Sequence, residues 1–119
     1  MEAIKNYKDL VVYKESYQLT LEIYKMTKNY PVEERYEIVS QIRRAVYSMP
    51  LNIAEGWGRK SKLEFKRFLK MSLGSCNELQ VLIDLSKDLG YIEENVYREL
   101  KERVEILGKR IYTLEDKWN

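Results

Sequence analysis

Gln41-Ile42-Arg43-Arg44-Ala45-Val46-Tyr47-Ser48-Met49-Pro50-Leu51-Asn52-Ile53-Ala54-Glu55-Gly56 carries two chemically different stripes on one helix. Ile38, Ile42, Ala45, Met49 and Ile53 recur at steps of three and four, and at about 100° per residue they make an apolar face. Gln41, Arg44, Ser48, Asn52 and Glu55 run beside them at similar steps and make a polar row. A helix that only covered a core has no need of so regular a polar row. The row therefore predicts partners on a neighbouring helix or on a sister chain, with a merely solvated face as the alternative.

Pro50 lies inside this pattern, where it has no N–H for the carbonyl of Val46 and crowds that turn. A bend near Ser48 follows, and the freed carbonyl needs a donor, from Ser48 or from water. Glu55 stands in the last turn, where the negative end of the helix disfavours an acid. It should be held by a cation, either Arg59 four residues on or Arg44 of a neighbouring helix or chain.

Working outward, Pro31 breaks the chain before this helix, and Glu33 with Glu34 suits a new amino end, which predicts a helix over 32–55. Gly56 would close it in the left-handed conformation, and Trp57 would plug the end of the core. Ser61 and Glu64 have the spacing of a capping box and open a helix over 61–89, with Phe65, Leu69, Ser72, Cys76, Leu79 and Ile83 as its buried row. Ser72, Gly74, Ser75 and Cys76 are small and predict a close approach to Ala45 and Ser48; Glu78 flanks that point as a partner for Arg44.

Toward the amino end, a helix over 9–29 carries Leu10, Tyr13, Tyr17, Leu21 and Tyr24 on one face, suited to a core edge or subunit interface, with base stacking as the alternative. A last helix over 93–115 has the alternating seam Tyr97, Leu100, Val104, Leu107, Ile111 and Leu114. The whole of 1–119 reads as a single all-α domain, an antiparallel up-down four-helix bundle.

Composition agrees and narrows the function. A 119-residue chain with 45% hydrophobic and 34% charged residues but only 2 Pro and 5 Gly has few places to break a helix. One cysteine forbids an internal disulfide and fits a reducing compartment. With no signal peptide and no apolar run near the eighteen or so residues that span a bilayer, the expected location is cytoplasmic, without membrane contact. There is no histidine, cysteine pair, phosphate-cradling glycine loop or carboxylate set for two metals, so neither catalysis, metal nor cofactor is expected.

The charge is uneven: between Gln41 and Lys70, eight cations face two acids, giving +6 in a chain whose net is +2. Arg43, Arg44, Arg59, Lys60, Lys62, Lys66 and Arg67 are the candidates to neutralise phosphate. Gln41, Arg44, Ser48, Asn52, Glu55 and Glu78 are the candidates for a structural network or interface.

The residues Gln41 to Ala45, Ser48 to Arg59, Glu64-Phe65 with Phe68-Leu69, Gly74-Ser75 with Glu78-Leu79, and Leu89 to Ile92 together resemble one family. It is the bacterial four helix bundle proteins encoded in intervening sequences of 23S ribosomal RNA genes. The resemblance implies a ring assembly, a homopentamer. The family is also similar to the pentameric accessory proteins of diversity-generating retroelements, which implies RNA or a reverse-transcriptase-like ribonucleoprotein as partner. The function expected is a nonenzymatic oligomeric module that binds RNA through basic residues; the alternative is a purely structural homo-oligomer or protein scaffold without nucleic acid.

Overall fold

Proline and glycine do punctuate the chain, though not always where the sequence suggests. In the computed structural model, which describes residues 4–118, four helices follow one another: α1 Val11–Thr27, α2 Ile38–Gly58, α3 Lys62–Asp88 and α4 Glu94–Lys117. Two short 3-10 turns, Tyr7–Asp9 and Val32–Glu34, precede α1 and α2. The helices form an antiparallel four-helix bundle of 43 × 25 × 20 Å in which α2 packs on α1 and α3, and α3 on α4.

The apolar seams meet in one core. Ile42, Met49 and Ile53 of α2 are fully buried with Ile23 of α1, Leu69, Leu79 and Ile83 of α3, and Val104 and Ile111 of α4. Each contributes about 1.5–3 kcal/mol of transfer free energy. Between α1 and α4 contact is thin, and ion pairs bridge the gap: Arg103 donates to both carboxylate oxygens of Glu22 at 2.7 and 2.6 Å, and Arg110 pairs with Glu15. These pairs are half-exposed and contribute about 1 kcal/mol or less each.

Several local expectations are corrected. Glu33 and Glu34 fall in the separate 3-10 turn, so α2 starts only at Ile38. Gly56 is not the closing residue: α2 continues through it to Gly58, and Gly56 is buried because Phe68 sits against it. A Cβ there would lie 2.6 Å from Phe68 Cβ. The left-handed residue of the turn is Lys60, with φ 53°. Gly74, expected to admit a neighbouring backbone, is exposed, and a Cβ there would meet open space. The close approaches are made by its neighbours: Ser72 Oγ donates to the Met49 carbonyl at 3.0 Å, Ser48 Oγ donates to Ser75 Oγ at 2.6 Å, and Gly108 of α4 lies against Cys76.

Ser61 does cap α3, accepting from the Glu64 amide at 3.2 Å, but Glu64 turns its carboxylate to Arg67 instead of reaching back. Asn6 and Asp9 form the full capping box, on the first 3-10 turn, so α1 begins after Asp9.

The carbonyl that Pro50 leaves free is answered from another helix. Thr20 Oγ1 on α1 donates to the Val46 carbonyl at 3.3 Å, shared with its own Ser16 carbonyl at 2.7 Å, while Ser48 is occupied with the Ala45 carbonyl and Ser75. Thr20→Val should therefore lower stability by about 1 kcal/mol. The expected readout is a lower urea midpoint at unchanged slope; an unmoved midpoint would mean that this donor does not matter.

Candidate nucleic-acid interface

The turn from α2 to α3 brings cations and aromatic rings to one end of the bundle. Trp57 closes the core as anticipated, edge-on to Phe65 with ring centroids 5.7 Å apart. Trp118, at the end of α4, completes the cluster at 4.8 Å from Phe65 and 5.9 Å from Trp57. Beside this cluster lies a groove of about 360 Å³ lined by Lys5, Trp57, Lys60, Lys62, Phe65 and Trp118.

The predicted phosphate-binding residues separate into two groups. Arg59, Lys60, Lys62, Lys66 and Arg67 gather at this end. Arg43 and Arg44 lie about fifteen residues back along α2, or about 22 Å at 1.5 Å per residue.

Within the first group the arginines and lysines differ. Arg59 donates to Glu55 at 2.9 Å, which is the local partner expected for that acid, and approaches Glu64 at 4.0 Å. Arg67 donates to Glu64 at 3.0 Å, and both guanidinium groups lie over the Phe68 ring. The hydrogen bond from Arg67 holds the Glu64 carboxyl below the usual carboxylate range, so it stays ionised and offsets the arginine charge. Among the described residues, no carboxylate lies within ion-pair distance of the side-chain ammonium of Lys5, Lys60, Lys62 or Lys66, although the Lys5 backbone amide donates to the Asp9 carboxylate at 3.1 Å. The uncompensated positive charge of this end thus sits on lysines, and the positive end of the α3 dipole adds to it.

Arg43 has a structural task. Its Nε donates to Thr27 Oγ1 at 2.8 Å, its Nη2 donates to the Tyr24 carbonyl at 3.3 Å, and its guanidinium lies 4.5 Å from the Tyr24 ring centroid, so it fastens α2 to the carboxyl end of α1.

The polar row of α2 does not form one network inside the chain. Ser48 reaches α3 through Ser75, Asn52 Nδ2 donates to the Ser48 carbonyl at 2.8 Å, and Glu55 is held by Arg59. Gln41, Arg44 and Glu78 are exposed, and among the described residues Arg44 makes no ion pair with Glu78.

The tyrosine row of α1 is also exposed in part. The residues α1 buries are Val12, Ser16, Leu19, Ile23 and Thr27. Tyr13, Tyr17, Leu21 and Tyr24 instead line a groove of about 530 Å³ against Tyr47, Pro50 and Leu51 of α2. Cys76 is buried, and burial pushes its thiol above the ordinary value, so it is poorly suited to act as a nucleophile. Among the described residues no group of acids or cysteines could hold a metal ion, and no helix is long and apolar enough to cross a membrane.

Lys5 and Trp118 were missed from sequence. Trp118 is four residues beyond Leu114, so extending the α4 seam by one step would have reached it. No comparable signal marks Lys5.

Fold and site define the class: an all-α bundle whose one end combines exposed lysines with an aromatic cluster. Residues 8–113 match the family described as 23S rRNA-intervening sequence protein, and the chain belongs to that family. It is also similar to the crystal structure of a protein of unknown function, from the S23 ribosomal protein family, of Bacteroides thetaiotaomicron. The two superpose with a TM-score of 0.83 at 22% identity, covering 90% of this chain and 96% of that one, a likeness of fold. Neither description names a catalytic activity. Among curated proteins no match is found.

Proposed function

We propose that this chain is a nonenzymatic helical module that self-associates and binds RNA, or a ribonucleoprotein of the reverse-transcriptase kind, through the lysine-bearing end of the bundle. The observation that carries this reading is that, among the described residues, the side-chain ammonium groups of Lys60 and Lys62, which line an aromatic groove, and of nearby Lys66 have no carboxylate within ion-pair distance. Cations held at fixed positions bind phosphate by releasing condensed counterions, which requires no recognition motif and gives little sequence preference. Arg59 and Arg67, already paired, contribute by exchanging a glutamate for a phosphate.

Membership in a family associated with an rRNA intervening sequence supports an RNA partner, and the resemblance noted above supports a ring of five chains. The test is a titration with structured RNA at several salt concentrations. Affinity should fall linearly on a log–log scale, with a slope near −0.9 per phosphate contacted. No binding at low salt would end the proposal.

A second reading, a homo-oligomer that binds nothing further, is favoured by the exposed tyrosine groove and by Arg44 and Glu78, which stay unpaired with each other within the chain. On that reading Arg44 of one chain meets an acid of the next. Light scattering separates the two: Arg44→Ala would dissociate the assembly, whereas Lys60→Ala with Lys62→Ala would leave its size unchanged. Loss of RNA affinity only in the lysine variant, with both variants still assembled, would refute the purely structural reading.

A further inference from the structure

We infer that the groove at the end of the bundle takes an unpaired RNA base, so that the ligand is a single-stranded or bulged stretch and not a continuous duplex; this rests on the RNA-binding reading above. The groove joins the two chemistries a nucleotide presents. Lys5, Lys60 and Lys62 supply charge for a phosphate, and Trp57 and Trp118 supply aromatic surface for a base, with the buried Phe65 ring behind them. Both tryptophans are only half-buried, so part of each ring remains available to the groove. Its volume of about 360 Å³ is of the order of one nucleotide, whereas a paired duplex presents its bases edge-on inside a cylinder far too wide to enter. Base stacking on such rings tolerates any sequence, because every base has a π-face.

Lys60 is placed at the groove by the turn itself. Its φ of 53° is the left-handed conformation that glycine adopts at much lower cost, yet the turn keeps a lysine there while its glycine, Gly58, lies inside α2 with open space about it. Lys60 closes α2, its N–H donating to the Trp57 carbonyl at 3.2 Å, and this conformation sets its side chain at the edge of the groove.

The chain has two tryptophans and both line this groove, so their intrinsic fluorescence reports on it directly. The intact protein would be titrated with a uridine decamer and with an RNA duplex carrying the same number of phosphates. The single strand should quench the tryptophans and bind about tenfold more tightly than the duplex. Trp118→Ala should remove most of that preference by weakening only single-strand binding, and Trp118→Phe, which keeps a ring, should retain it. Equal affinities without quenching would overturn the base-binding inference and leave the phosphate reading standing. Binding of neither RNA would overturn that reading itself. Should Trp118→Ala fail to fold by circular dichroism, the wild-type comparison and Trp118→Phe still decide.

Discussion

Gly56→Ala is expected to destabilise the bundle by about 2 kcal/mol, although alanine is the better helix former. Helix propensity alone would favour the substitution by about 1 kcal/mol. Against it stands the added methyl, whose carbon would lie 2.6 Å from Phe68 Cβ and 3.2 Å from Phe65 Cδ1. Phe68 Cβ is fixed to the α3 backbone and cannot swing away, so the two helices must separate at this contact, a strain of a few kcal/mol. Gly74→Ala is the internal control: it is helical too, its added methyl meets nothing, and the expected effect is a gain of about 0.5–1 kcal/mol. Urea unfolding of the two variants would show opposite signs. A neutral Gly56→Ala would contradict the packing described for α2 and α3, and a destabilised assembly in Gly74→Ala would show that a sister chain covers that face.

The second large effect is on binding. Lys60→Gly combined with Lys62→Ala should weaken single-stranded RNA binding by about tenfold per lysine near 50 mM salt, and should reduce the salt slope by about 1.4. The same pair separates binding from folding, because glycine relieves the left-handed strain at Lys60 and should raise stability by about 1 kcal/mol. A variant that melts higher yet binds less tightly has lost a functional contact, not its fold. Unchanged affinity and slope would remove these lysines from the interface.

Periodicity exposed the seams of α2 and α4 because each has one dominant apolar row, and local chemistry exposed the Ser61 cap and the Glu55 to Arg59 pair because both lie within four residues. The misreadings share a cause in contacts distant along the chain. Gly56 and Gly74 look alike in sequence, and only the position of Phe68 makes one a contact and the other a gap. The Val46 carbonyl was seen to need a donor, but Thr20 could not be chosen without knowing which face of α1 meets α2. The tyrosines of α1 do lie at the core edge, where their hydroxyls stay near water; what periodicity leaves open is the adjacent row Val12, Leu19 and Ile23, which is the one buried. The basic residues look like one set in sequence because they share a sign. Helix geometry divides them, and partners at the bundle end distinguish the arginines, which are neutralised locally, from the lysines, which have no carboxylate partner among the described residues.

The most direct measurement of the central claim is ultraviolet cross-linking of the assembled protein to a bound single-stranded RNA, with the attached peptides identified by mass spectrometry. Cross-links should concentrate in the segment from Gly56 to Phe65 and at Trp118, at the lysine-bearing end of the bundle. Cross-links confined to the tyrosine groove between α1 and α2, or to the Arg44 face, would contradict it.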